Sequence, residues 1–526
     1  MYIARIIDNR SKKPYLVIRE SFRNAKGKPT SRNVKKYGYI NEGNEKALYE
    51  KAKNDLDILN SNIEKQTNII VNFREQNSTS QPIKNLGYCI LEQIYKALNI
   101  DTFISKNTPN NIKSYNVSDA LKLLIYSRIL WPGSKNEAYK KQKLFFNAFD
   151  IDLINVYRSL DYLNLISQSL QLHLHKELSK LYKRNLTLTF YDITNYFFET
   201  EIEDDLRAKD VSKENRESPI VQMGLLMDQQ GIPIAYKLFR GDTLDQLTLI
   251  DTIEEFQKIF NVHSITLVAD KCLNSGRNLQ YLINHKHKYI VSQMVRTNDE
   301  KFREKILDQN SYKWLSGQHN FKLKEFEWQH EYTDKETQEK HQIKYRVIAY
   351  WSQAFADREK FKRDRKNDVD WDKYQHDIEM DGYYAIITSD YDSTPIEIIQ
   401  KYKELRKIEE IFKVTKSDLD GRPVYVWKSQ HINAHFLTCF IALIFIKLIQ
   451  KCLNWEYSAS KIQECLLSAS CQSLNAKIYL LTRQSLVFKI LAEKMGLNFN
   501  FQYMKEEKIR KILKEFTKKK FSLTTK

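Results

Sequence analysis

The sequence predicts a multidomain α/β protein organised on a mixed β-sheet, and three observations carry that prediction. Residues Leu186 to Tyr191 (LTLTFY) form an alternating β-branched and aromatic run that reads as a strand and delivers Asp192 at its end. Two further apolar runs, PIVQMGLLMD and IPIAYKLF, flank the short turn QQG and read as a hairpin. An amphipathic helix (DQLTLIDTIEEFQKIF) and a short buried-type strand ending in Asp270 (SITLVAD) then complete the order strand, hairpin, helix, strand. With 526 residues, 42% of them hydrophobic, the chain is long enough for several domains and a large core.

Taken in order, residues 1–42 alternate as short strands (IARIID, YLVIRES, then SRNVKKYGYI) around a turn at Asn24 to Pro29, a small basic β module that binds DNA or braces a neighbour. Residues 43–184 read as helical. Their first part, to about Glu75, is charged and closes on the polar punctuation NSTSQP, a linker. The remainder holds GYCILEQIYKALNI, a helix starting at an N-cap-like Ser118, a break at Trp131 to Ser134, and amphipathic helix to Leu181. Within it SKNEAYKKQKLFF and YRSLDYLNL fit either a helix-turn-helix reader of DNA or packing helices with a solvated basic face. Residues 451–526 are expected to be helical and basic, with the tail KIRKILKEFTKKK either touching DNA or merely solvated.

Charge narrows the partner. Lys and Arg total 84 against 66 Asp and Glu, a net charge of +18 that suits a polyanion or an anionic membrane surface. Nucleic acid is favoured, because the longest apolar run, Phe436 to Ile449, carries Lys447 and is shorter than the roughly 20 residues of a membrane span. No membrane partner is expected, and the N-terminus lacks an apolar signal core. The six cysteines have no CxxC spacing, which fits a reducing compartment without a zinc site and points to the cytoplasm.

A right-handed crossover through the helix lays the fourth strand parallel to the first, so Asp192 and Asp270 emerge at one edge of the sheet. By itself Asp192 also reads as a turn or helix-entry residue. Two convergent carboxylates repel unless a cation lies between them. Oxygen ligands without a nearby His or Cys point to magnesium or manganese. A third ligand is sought on the helix Pro395 to Lys416, where Tyr402, Glu409 and Lys416 recur at seven-residue intervals on one face and Arg406 stands one turn before Glu409. A surface helix laced with charge pairs has the same pattern, and Glu404 and Glu410 compete with Glu409 on spacing alone.

These segments are together recognisable. YDITNYFF, GLLMDQQGIPIAYKLFRGDTLDQLTL, LVADKCLNSGRN and YKELRKIEEIFKVTKSDLDGRPVYVWKSQHINAHFLTCFIAL resemble bacterial insertion-sequence transposases of the DDE type, the superfamily whose catalytic Glu lies in a Tyr–Arg–Glu–Lys helix signature. The resemblance runs from about residue 190 to 290 and from 381 to 445, and more faintly through the N-terminal module. It implies an RNase H-like mixed-sheet catalytic core in two parts, residues 185–295 and 381–450, interrupted by a β-rich insertion at 296–380. It implies that Asp192, Asp270 and Glu409 are the catalytic, metal-holding acids, since the signature places the Glu seven residues after the Tyr and seven before the Lys. It implies two Mg²⁺ ions, for which Mn²⁺ can substitute, and DNA contacts from Tyr402, Arg406, Lys413 and Lys416. The partners it implies are double-stranded DNA, as the element's terminal repeats and its target, with a homodimer or larger assembly on DNA in the bacterial cytoplasm, nucleoid-associated when bound.

Three departures stand out. The signature Arg is expected three residues after Tyr402, where this chain has Leu405 and then Arg406. Asp270-Lys271-Cys272 replaces the usual Asp-Arg-Gly, and Asp242 replaces the Asn after Gly241. None removes a ligand.

In the insertion, basic residues interleave with Trp314, Trp328 and Trp351, which either stack on a distorted DNA end or fill the insertion's own core. Chemically, metals roughly 3.5–4 Å apart activate an attacking oxygen and stabilise a leaving one in an in-line displacement at phosphorus. Water as nucleophile frees a 3′-OH, and that hydroxyl as nucleophile joins the strand to target DNA. Two other readings share these residues: a metal-dependent nuclease of the same fold that cuts without joining, and a non-catalytic DNA-binding protein derived from a transposase.

Overall fold

The computed structural model describes all residues except 24–27, 42, 63–81, 110–114, 210–217, 316–318, 334–337, 366–377, 476, 483, 500 and 524–526, and the chain divides into two compact units, 1–80 and 81–526. In the first, β1 (Tyr2–Ile7), β2 (Pro14–Arg23) and β3 (Pro29–Tyr39) form an antiparallel sheet in that order. Three strands alone leave an apolar face uncovered. The helix Glu45–Asn62 covers it, burying Ala52 and presenting Asp55 to Lys35 Nζ and the Tyr37 hydroxyl at 2.6 and 2.8 Å. This unit therefore extends beyond the expected boundary at residue 42. The expected turn and linker lie largely at residues outside those described.

In the second unit, β4 (Lys84–Asn85) comes first, followed along the chain by β5 (Leu188–Phe197), β6 (Ile220–Asp228), β7 (Pro233–Arg240), β8 (Thr266–Ala269) and β9 (Lys288–Gln293). After these come β10 (Lys313–Trp314), β11 (Phe321–Thr333), β12 (Lys340–Ser352) and β13 (Tyr383–Thr388). The strands from β5 onwards form one nine-stranded sheet in the order β10-β11-β12-β13-β9-β8-β5-β6-β7. β5 pairs antiparallel with β6 and parallel with β8, and β8 pairs parallel with β9. Counted from β5, the order third-second-first-fourth-fifth is that of the expected RNase H-like core, and the helix Asp245–Phe260 is its crossover. The turn at Gly231, at φ +80°, joins β6 to β7 as expected.

Three expectations change. β5 does not end at Asp192 but runs five residues further, paired with β6 as far as Phe197 and Ile220. The strands of 296–380 make no sheet of their own. β12 pairs with β13, so they widen the main sheet and share its core through Ile348 on one face and Val347 on the other. Residues 451–526 are mixed rather than helical: β14 (Ser470–Asn475), β15 (Ile478–Leu481) and β16 (Tyr503–Lys505) join β4 in a second sheet, beside helices Ala459–Ser468, Leu486–Met495 and Glu506–Phe516. There Gly87 is required, because a Cβ on it would lie 2.0 Å from the Leu466 carbonyl oxygen. Ile509, Leu513 and Phe516 turn the tail helix into the core.

The hub is the helix Ser429–Cys452, longer than the apolar run suggested. It is long and apolar enough to cross a membrane, but 94% of its most apolar window is buried inside the protein, against helices Val117–Leu130 and Leu153–Leu181. The first of these is capped by Asn116, whose side chain accepts from the Asp119 amide; Ser118 is unavailable because its hydroxyl donates to Asp101 at 2.6 Å. The candidate helix-turn-helix segments serve packing: Lys135 is buried, and the second segment lies within the long helix Leu153–Leu181.

Lys135 makes a measurable prediction. Its amine donates to His435 Nδ1 at 2.7 Å, and the other ring nitrogen faces the Gly421 carbonyl at 3.2 Å, as a neutral Nε2–H tautomer requires. Burial, with Arg128 nearby, pulls the Lys135 amine down to about 7 from 10.5. The unfolded chain thus holds this proton more tightly, so the contribution to stability grows as pH rises from 7 towards 10.5 and is lost as pH falls through 7. Lys135→Met is expected to flatten the rise in stability between pH 7 and 9 by up to ~1.4 kcal/mol per pH unit, read from urea midpoints.

Candidate active site

Asp192 and Asp270 are brought together by strand register. Tyr191 of β5 lies opposite Ala269 of β8, and Ala269 opposite Val291 of β9, so the next residues, Asp192, Asp270 and Ser292, form a row across three parallel strands. β8 ends at Ala269 while β5 continues, and the sheet narrows at the acids, leaving both half-exposed. Their face is set by alternation. Phe190 and Tyr196 enter the core under helix Ser429–Cys452, whereas Tyr191 and Ile193 enter the core under the crossover helix. Asp192 shares the face of Phe190 and Tyr196.

Asp270 is held by two hydroxyls. Ser292 donates to its Oδ1 at 3.2 Å and Tyr402 donates to the same atom at 3.3 Å, with the Tyr384 hydroxyl 3.3 Å from that of Tyr402. Burial raises the pKa of Tyr402 well above the phenol range, so its hydroxyl remains a donor at any working pH. Sequence reasoning placed Tyr402 against DNA and missed Ser292 and Tyr384. The position of Ser292 follows from parallel register, which becomes readable once three strands are aligned.

The signature helix is not continuous. It consists of Pro395–Lys403, opened by a Thr394–Glu397 capping box, a turn at 404–405, the helix Arg406–Lys413, and a π segment Val414–Asp418. Its apolar side (Leu405, Ile408, Ile411, Phe412) packs into the core on the face of the acids. Tyr402 meets Asp270 at one end of the stripe. At the other, Lys416 Nζ lies 5.6 Å from the Tyr196 ring centre. Glu409 lies between them along the chain and is exposed, as are Arg406, Glu410 and Lys413. Arg406 Nε donates to the Lys403 carbonyl at 3.4 Å. Glu410 lies on the side of the buried Lys447, whose charge it favours against the burial that lowers it. Glu404 pairs with Lys407 at 3.2 Å.

Among the described residues, no three His, Cys, Asp or Glu side chains are drawn together closely enough to hold a metal ion. The two aspartates are fixed side by side, and Glu409 does not yet join them. The donor set nevertheless suits a hard cation, being oxygen-only with two carboxylates in register on a half-open edge. The tryptophans of the widened sheet are engaged with protein groups. Lys322 Nζ lies 5.0–5.6 Å from the rings of Tyr312, Trp314, Trp351 and Tyr383, and Trp328 packs edge-on against Phe302.

Residues 203–445 match the family described as transposase DDE domain. No curated protein matches the chain in sequence. Among solved structures, the chain is similar to a piggyBac transposase synaptic complex with hairpin DNA, at 8% identity over 85% of this chain and 88% of that one, TM-score 0.38. It is also similar to a Mos1 transposase paired-end complex with the left transposon end, at 12% identity over 35% and 60%, TM-score 0.15. Likeness at those scores carries no weight beside the family match. Residues 203–445 of the chain thus carry a transposase DDE domain.

Proposed function

We propose that this transposase cleaves the ends of its own element and joins the freed 3′ strand to target DNA at one site formed by Asp192, Asp270 and Glu409. The observation that supports this most directly is the row Asp192–Asp270–Ser292, with Tyr402 closing on Asp270 from the signature helix. Ser292 and Tyr402 orient one carboxylate oxygen of Asp270, the neighbour of Asp192 in the row. The helix Arg406–Lys413 is bounded by a turn and by a π segment, interruptions that let eight residues shift as a block and bring Glu409 towards the aspartates.

Mg²⁺ or Mn²⁺ held by the three acids would supply Lewis acidity to the attacking and leaving oxygens. Arg406 and Lys413, exposed on the same helix, contact DNA phosphates in this reading, and Lys416 carries a charge along the same stripe. The protein works as a homodimer or larger assembly that pairs two terminal repeats.

The test is to incubate the protein with a duplex carrying the element's end and to map products with Mg²⁺, Mn²⁺, Ca²⁺ or EDTA. Cleavage and joining are expected with Mg²⁺ and Mn²⁺, and with Ca²⁺ binding with little turnover, because its looser coordination does not enforce the in-line geometry. Cleavage at full rate in excess EDTA would falsify the metal site. Cutting without joining would reassign the protein as a nuclease.

A further inference from the structure

Immediately after the signature helix the chain runs out in an extended segment, Gly421 to Lys428, that is not paired into any named strand. Its side chains alternate. Val424 and Val426 are buried, while Tyr425 and Trp427 are 50% and 56% exposed. The Val424 amide donates to the Phe197 carbonyl at 3.2 Å, which anchors the segment at the far end of β5. Two large aromatic rings held outward on a fixed backbone forfeit burial that the fold readily gives their neighbours, and such a patch marks a binding surface.

A second, independent observation lies beneath it. The Arg207 guanidinium is 5.4 Å from the Phe198 ring centre and 5.7 Å from that of Trp427, and the residue is 95% buried. Its Nε and Nη2 bind Asp204 at 2.9 and 2.7 Å, but Nη1 has no hydrogen-bond acceptor among the described residues. A buried guanidinium is costly, and holding it against Phe198 and Trp427 fixes the outward Trp427 ring as a platform for a flat ligand. Lys416 over Tyr196 and Arg422 over Phe197 stand between this place and the acids. The nearby anions are engaged or peripheral: Asp204 is taken by Arg207, Asp205 accepts from Ser429, and Glu199 and Asp420 flank Tyr425.

We infer that Trp427, with Tyr425 beside it and Arg207 beneath it, is a stacking site for an unpaired nucleobase of a DNA end. Five residues of β5 separate Asp192 from Phe197, about 17 Å, so the base gripped lies a few nucleotides from the phosphate at the acids. Stacking is tolerant of sequence, because every base offers a π face, and the Arg207 guanidinium under the Trp427 ring holds that platform in place. This rests on the reading that the acids act on DNA, but its test separates the two.

The probe is a 20-base-pair duplex of the element's end, either blunt or with a four-nucleotide 3′ overhang containing 2-aminopurine, whose fluorescence is quenched when the base stacks. The full-length protein is expected to bind the overhang duplex on the order of tenfold more tightly than the blunt one and to quench the fluorophore. Trp427→Ala should abolish the preference and the quenching while blunt-duplex affinity stays within about twofold. Trp427→Phe should restore most of both, and Arg207→Gln should weaken only the overhang complex. Folding is expected to survive Trp427→Ala, since the ring is exposed. Equal affinity for both duplexes, or quenching that persists in Trp427→Ala, overturns the stacking site while leaving the DNA reading intact. Failure to bind either duplex overturns both.

Discussion

Asp192→Ala and Asp270→Ala are each expected to lower end cleavage by roughly a thousandfold or more while leaving affinity for the end within a few-fold. The two positions are equivalent in geometry, adjacent in register on parallel strands and half-exposed where the sheet narrows. Asp270 also accepts from the Ser292 and Tyr402 hydroxyls, so unchanged melting curves and retained gel-shift affinity are what separate lost chemistry from a loosened fold. Separating the steps is informative. With a pre-cleaved end as substrate, joining should fail in both variants, because one site serves both nucleophiles. A variant that joins but does not cut would require a second site.

The second large effect distinguishes neighbours on one helix. Glu409→Ala should abolish cleavage to the same extent, whereas Glu410→Ala should retain activity within about tenfold. Glu409 lies along the chain between Tyr402, which touches Asp270, and Lys416, which lies over Tyr196. Glu410 is turned towards Lys447 on the hub helix, and its removal leaves that buried amine with less compensation. Glu410→Ala should therefore show a small loss of stability rather than of rate. The reverse pattern, a dead Glu410 variant and an active Glu409 variant, would mean that the helix presents a different face to the acids.

Much of this site was legible in the sequence because it depends on local order. Strand, hairpin, helix, strand determines which strands are neighbours, and the parallel crossover then aligns Asp192 with Asp270. What sequence could not give was length and partnership. β5 runs past Asp192 because β6 continues to pair with it to Ile220, a fact about the hairpin rather than about β5. The strands of 296–380 read as a separate insertion because their alternation shows only that they are strands; that β12 finds β13 is decided by long-range pairing. The signature helix reads as continuous, since neither its turn at 404–405 (Glu404, Leu405) nor its π segment (VTKSD) contains the Gly or Pro that would announce a break. β14 to β16 are short and weakly patterned, and the strand they join, Lys84–Asn85, is two residues long. No window of sequence could have linked them.

That last pairing has a consequence in time. The Asn85 side chain donates to the Leu466 carbonyl, 381 residues later in the chain, and Gly87 packs against the same oxygen. On a ribosome adding about 5–20 residues per second, the first strand of that sheet waits roughly 20–80 s for its partners to be synthesised. Until then the surface around Leu86 and Ile90 stays open, and a chain arrested short of residue 470 exposes it for good. The protein thus finishes folding only once almost all of it has been made, so incomplete translation products would carry both aspartates and the signature helix on a body with one face unsealed, a substrate for proteases rather than a working enzyme.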